Sequence, residues 1–336
     1  MNCTLLLALA LTCVGQAPST EPASTGTRRA LILCGLPGDE SHRKMYAQTV
    51  EKLHQALIGR CGFPPKEVWV RFGSKPASED GPALAKARGL STREGIEADV
   101  TELRKLLKPE DALWVIVLGH AHYDGRHSLL NLPGPDVRED EFGKLFAGLA
   151  SREQVFFITT PASGFLIKDL SARGRIVITA TEPDWEVNET LFHLSLAEVL
   201  SNPPKTEEYD QDKDGRITVL DLYLAVTRLV MMIYQAEENI PTEHAQLDDN
   251  GDGRGTELQL DYLEPELGGR AAPRGYPGAR PQVKASADGA LAATVVMRID
   301  PLPEIRPAPA AVPAPEPDPE PPAASIPRID QAEERH

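Results

Sequence analysis

Positive charge is what this chain is short of. Its 35 Lys and Arg face 50 Asp and Glu, for a formal net charge of -15 over 336 residues. That balance cannot neutralise a phosphate backbone, so nucleic acid is excluded as a main partner. Acidic excess is also what calcium sites and acidic tails leave behind. Cysteine is scarce as well, at four residues, and Cys3 and Cys13 lie in an N-terminal apolar run. Of the two that remain, Cys34 ends an apparent strand and Cys61 follows the apparent helix after it. A helix of about 17 residues is roughly 25 Å long, and a disulfide needs Cα atoms within about 7 Å. The pair is read as two buried small hydrophobes, not as a bridge. The N-terminal apolar run, Leu5 to Val14, is too short to span a bilayer.

What is present begins with that run. Gly15-Gln16-Ala17 offers a small-x-small cleavage site, so residues 1–17 read as a secretory signal, although no Lys or Arg precedes the apolar core. A lipid-modified Cys13 is the weaker alternative, since Leu11-Thr12 before it is a poor match to that signal; a misassigned start is the bland one. The expectation is an exported protein, periplasmic or extracellular, with no membrane span. The length suits one large domain or two modest ones.

After a linker at 18–27, apolar runs alternate with amphipathic ones. Strands are predicted at Ala30 to Cys34, in EVWVRFG, ALWVIVLGH, QVFFITT and RIVITAT. Helices are predicted from about His42 to Ile58, from the capping pair Ser91 and Glu94 to about Leu107, in EDEFGKLFAGL, IKDLSA and ETLFHLSLAEVL. ALWVIVLGH is apolar without alternation, which marks a central strand covered on both faces. The fold class that follows is α/β, a mainly parallel sheet with helices on both faces. In such sheets the chemistry sits past the carboxyl ends of the strands. Those ends here are Cys34-Gly35, Gly119-His120, Thr160 to Gly164, and Thr181-Glu182.

Beyond Pro203-Pro204 the character changes. DQDKDGRITVLD places Asp210, Asp212 and Asp214 at positions 1, 3 and 5 of a calcium loop. Gly215 stands at the sharp turn, the Arg216 carbonyl at 7, Ile217 at 8, Thr218 at 9 and Asp221 at 12. Every position of an EF-hand loop is filled, with Asp in place of the usual final Glu. The shorter arm predicts weak binding, near the millimolar range of extracellular modules. A second loop, DDNGDGRGTELQ, starts about 38 residues on and fits less well. Asp248, Asn250, Asp252 and the Arg254 carbonyl take ligand positions, Gln259 at 12 is neutral, and Glu257 would serve instead. Val219 to Asn239 reads as the connecting helix. Residues 202–267 are therefore expected to form a Ca2+-binding region. ALAATVVMRID, within the linker at 268–300, reads as a last strand, and 301–336, rich in Pro, Ala and Glu, as a disordered tail.

His120 follows a Gly at the end of a central strand, and about 40 residues later the next strand ends in TTPASG. Over residues 28–201 this arrangement resembles the caspase and legumain family of cysteine peptidases. There one strand ends in Gly-His-Gly, the next in Cys-x-Ser-Gly, and His and Cys form the catalytic dyad. Gly119, His120, Ser163 and Gly164 match that pattern, Ala121 replaces the second Gly, and the cysteine position falls on Pro161. Proline supplies neither a nucleophile nor the backbone N–H that the family uses in its oxyanion hole. The resemblance thus implies a pseudopeptidase that holds a peptide or protein partner in the old crevice. Two alternatives stay open: a hydrolase using Ser163 or Thr160 with His120 as base, and an extracellular scaffold that calcium rigidifies. Glu182 and Asp184, past the fifth strand, stand where the family often reads substrate side chains. A metal held by His120, His122 and Asp124 is a further thought, with no third ligand marked by spacing.

Overall fold

The computed structural model describes residues 26–77, 79–270 and 287–297. The expected signal at 1–17, most of the 18–27 linker and the expected tail at 301–336 lie outside the described residues.

The apolar runs form the strands that their composition calls for. They are β1 (Arg28–Cys34), β2 (Val68–Arg71), β3 (Ala112–Leu118), β4 (Ala121–Tyr123), β5 (Ser128–Leu130), β6 (Val137–Arg138), β7 (Glu153–Ile158), β8 (Arg175–Thr179) and β9 (Gln246–Asp248). Six of them make one sheet in the order β2-β1-β3-β7-β8-β9. The first five run parallel, and β9 closes one edge antiparallel to β8. Every residue of β1, β3 and β8 is buried, as unbroken apolar strands in a doubly covered sheet must be. The sheet is mixed but mostly parallel and compatible with a caspase-like fold. A second, three-stranded sheet, β4-β5-β6, grows from the carboxyl end of β3.

Among the described residues eight helices accompany the sheet: α1 (Glu40–Gly59), α2 (Pro82–Ala85), α3 (Arg93–Leu106), α4 (Glu139–Leu145), α5 (Ile167–Leu170), α6 (Phe192–Ser201), α7 (Thr206–Tyr209) and α8 (Val219–Ala236). Period-two alternation splits β1 between two cores. Ala30, Ile32 and Cys34 face α1, α6 and α8, while Leu31 and Leu33 face α3 and α4. Helix α8 has the length and apolarity of a membrane span, yet Leu222, Tyr223 and Val226 on it are fully buried in the first of these cores. The same core takes in Leu247 of β9. The acidic loops are therefore anchored in the central sheet and its helices.

Two local expectations are corrected. The N-cap of α3 is Thr92, whose side chain accepts from Gly95 N, not Ser91. Ser91 is buried and donates its hydroxyl to the Cys34 carbonyl at 2.5 Å, which pulls it off the helix axis. The segment expected as a last strand contains a 3-10 turn at Ala292–Thr294 and a single bridge, Thr218 to Val296; residues 298–300 lie outside the described residues. Cys34 and Cys61 are buried and unbridged. Burial pushes both thiols up, Cys61 to about 11, so neither offers a thiolate nucleophile.

Candidate functional site

The carboxyl edge of the sheet gathers a cluster around His120. Gly119 precedes it at φ +120, and a Cβ there would meet the Gly35 nitrogen at 2.8 Å. Only glycine lets β3 turn this close to β1, and the turn carries the imidazole over the loop after β1. His120 Nε2 lies 3.0 Å from the Pro37 carbonyl and Nδ1 lies 3.1 Å from Glu189 Oε2. A carbonyl oxygen only accepts, so Nε2 carries the proton. The Glu189 carboxylate raises His120 above the usual imidazole range. Both ring nitrogens are engaged, and a general base needs one free.

Three further groups complete the cluster. Tyr46, on α1, donates its hydroxyl to Glu189 Oε1. His42, one turn earlier on α1, presents its ring edge to His120 at 5.0 Å and lies 2.9 Å from Asp39 Oδ2. His193, on α6, packs 5.2 Å from Tyr46 and is fully buried. Burial pushes it down to about 4, so it is neutral. Burial opposes ionisation of Glu189, but the hydrogen bonds from His120 and Tyr46 outweigh it and hold the carboxyl below its usual range. His42, Tyr46 and Glu189 were not singled out in the sequence. Their signal was weak but readable: His42 and Tyr46 stand at i, i+4 in the first turns of a helix that starts just past a strand's carboxyl end, with Asp39 as its N-cap.

The turn at Pro161 is closed on itself. Ala162 takes left-handed backbone at φ 51, donates its N–H to the Glu186 carbonyl at 2.8 Å, and accepts from Ser128 Oγ at 2.9 Å. Ser163 is fully buried. Its hydroxyl oxygen accepts the N–H groups of Ala180 and Thr181, each at 3.1 Å, and lies 3.1 Å from Thr181 Oγ1. None of these partners is His120. The Thr160 hydroxyl is buried and has no hydrogen-bond partner among the described residues. It lines a small apolar cleft together with His120, Leu33, Val117 and Asn131.

Nearby residues have other partners. His122 Nδ1 lies 2.8 Å from Asn131 Oδ1, and Asp124 Oδ1 accepts the N–H groups of Arg126 and His127. Among the described residues His120 groups with His42 and Glu189, and not with His122 and Asp124. Asp184 Oδ1 accepts the Trp185 N–H, and Glu182 forms a cluster with Glu186 and His244.

The two acidic loops are built differently. In the first, ligand oxygens of Asp210, Asp212 and Asp214 lie within 4.8 Å of one another. Asp210 accepts from Asp214 N at 3.1 Å and Gly215 N at 3.1 Å, which folds the loop around its first carboxylate. Gly215 makes the sharp turn at φ +84. Asp214 pairs with the Arg216 guanidinium at 2.7 Å. Asp221 accepts from Gln211 N, Thr218 N and Thr218 Oγ1, which ties the end of the loop to its start. Burial and the neighbouring carboxylates Asp221, Asp214 and Asp210 push Asp212 up to about 6. In the second loop Asp248 is fully buried and accepts from Gly251 N at 3.0 Å and Gly253 N at 3.2 Å. Asn250 and Asp252 accept from the N–H two residues on, those of Asp252 and Arg254. Gln259 is spent on Tyr223 and the Ala245 carbonyl. Glu257 acts electrostatically on Glu182 and His244.

No protein-family model matches the chain, and no curated protein matches it.

Proposed function

We propose that this is an exported Ca2+-binding protein whose caspase/legumain-like α/β domain has no peptidase chemistry and holds a peptide or protein partner at the carboxyl edge of its sheet. The observation that carries the reading is the convergence of Asp210, Asp212 and Asp214 within 4.8 Å around a turn at Gly215. Arg216 pairs with Asp214 alone, and a cation shared by all three carboxylates would relieve their mutual repulsion; the loop also has the ligand spacing of an EF-hand. The absence of peptidase chemistry is supported at three atoms. Pro161 offers no nucleophile, the Ser163 hydroxyl is tied to Ala180 and Thr181, and both His120 nitrogens are engaged.

A second reading rests on Thr160, whose hydroxyl has no partner among the described residues and which lines a cleft with His120. It is a hydrolase with Thr160 as nucleophile. Incubation of a mixed peptide library with the protein, in millimolar calcium and in chelator, separates the two. No cleavage, together with a melting temperature that rises with calcium, is the expected result. Cleavage that disappears in both His120→Ala and Thr160→Val would establish the hydrolase.

A further inference from the structure

We propose that His42, His120 and Glu189 form a binding site for a transition-metal dication, Zn2+ by ligand set, separate from the calcium loops. Each of the three side chains has one ligand atom beside a polar neighbour, which leaves another for a shared centre. Asp39 Oδ2 lies 2.9 Å from His42 Nδ1, so Nε2 of that ring is the available atom. The Pro37 carbonyl accepts a hydrogen bond from His120 Nε2 at 3.0 Å, which leaves Nδ1. The Tyr46 hydroxyl holds Glu189 Oε1, which leaves Oε2. Carboxylates and carbonyls behind metal-bound histidines do this work in known sites: they set the tautomer, fix the ring and raise its basicity.

The distances fit. One ligand atom from each residue lies within 4.8 Å of the other two, and His120 Nδ1 and Glu189 Oε2 are 3.1 Å apart. Two tetrahedral ligands bound at about 2.05 Å stand about 3.3 Å apart. The half-exposed His42 supplies the third ligand atom within that distance. The ion takes the place of the proton that His120 Nδ1 and Glu189 Oε2 otherwise share. Two imidazoles and one carboxylate select zinc over calcium or magnesium, which prefer oxygen donors. Three protein ligands leave a fourth position for water or for a side chain of whatever enters the cleft. Alongside lies His193, buried, its Nε2 without a hydrogen-bond partner among the described residues.

The test is calorimetric titration of Zn2+ into the full chain, stripped of metal and then saturated with Ca2+, alongside Co2+ absorption spectra. The expected result is one Zn2+ per chain and visible Co2+ d–d bands of a low-coordinate site. His42→Ala, on the exposed first turn of α1, weakens Zn2+ binding at least tenfold. Glu189→Gln abolishes the bands while far-ultraviolet circular dichroism stays unchanged. If Glu189→Gln unfolds the chain, His42→Ala alone decides. The proposal is overturned by an absence of Zn2+ binding to the parent chain, or by affinity and spectrum unchanged in His42→Ala. Loss of binding in His244→Ala with His42→Ala unaffected also overturns it, by placing the ion among Glu182, Glu186 and His244.

Discussion

Ser163 Oγ accepts the backbone N–H of Thr181 at 3.1 Å, and through it the turn after β7 is bound to the end of β8. The same oxygen accepts Ala180 N. Ala180 N–H also donates to the Ile158 carbonyl at 3.0 Å, so Ser163→Ala would leave chiefly the buried Thr181 N–H without its partner, a cost of about 1–3 kcal/mol. Thr160→Val is the contrast. The Thr160 hydroxyl is buried and unpartnered among the described residues, so its removal is expected to be neutral or stabilising. Denaturant unfolding of the two variants beside the parent measures both effects. A Ser163→Ala protein as stable as the parent would mean that the hydroxyl is not a structural tie.

A buried carboxyl just before β9 contributes to the pH dependence of stability. Glu243 is 3% exposed and accepts the N–H groups of Leu191 and Phe192 at the start of α6. Burial raises it from 4.5 to about 7, despite those two hydrogen bonds; Glu186 adds to the rise. The folded state therefore holds a proton that the unfolded chain has released between pH 4.5 and 7. Stability attributable to this group is greatest below pH 4.5 and falls as pH rises to about 7, by on the order of 3 kcal/mol. Glu243→Gln removes the titration. Its melting temperature should fall less steeply across that window than the parent's, read by calorimetry at several pH values in constant calcium.

The calcium loop should show opposite effects of one substitution. Asp212 is pushed up to about 6 because it is partly buried beside Asp221, Asp214 and Asp210. Asp212→Asn removes that repulsion and also removes a ligand charge. In chelator the variant is expected to melt higher than the parent; in calcium it should gain less. With affinity near millimolar, calcium at about 100 times Kd stabilises the parent by about 2.7 kcal/mol. Paired melts with and without calcium check this, and equal calcium shifts in parent and variant would rule the loop out as the site.

The strands were legible because their apolarity has a single cause, burial on both faces. The turn at TTPASG and the Gly-His at the end of β3 were legible too, since strand ends in parallel sheets are where side chains converge. His42, Tyr46 and Glu189 were not, because what unites them is the close approach of α1 and the segment before α6, which no local pattern announces. β9 escaped notice for a related reason. Its three residues, Gln246–Asp248, carry the first ligand position of the second acidic loop. A ligand pattern and a strand pattern overlap there, and the edge of β8 decides which backbone pairing forms. Ser91 misled for the opposite reason. Its capping signature was sound, but a buried carbonyl at Cys34 competed for the hydroxyl and won.

Residues 287–297 tie the two acidic loops together. On the second loop Asp249 accepts Gly289 N at 2.9 Å and Ala292 N at 2.7 Å, and Asp288 accepts Asp249 N at 3.2 Å and the Thr256 hydroxyl at 2.5 Å. On the first loop Val219 N donates to Val295 O at 3.0 Å and Met297 N to Ile217 O at 2.8 Å. The segment therefore bonds on both sides of Thr218, taking in the carbonyl of Ile217, the apolar docking position of the first loop, while its own start is held by Asp249 of the second. Asp249→Ala removes two of these anchors, at about 1–3 kcal/mol of local stability. Hydrogen exchange should then quicken at Ala292 and Met297, and also at Val219 on the other loop. Unchanged protection at Val219 in Asp249→Ala would mean that the two loops are stabilised independently.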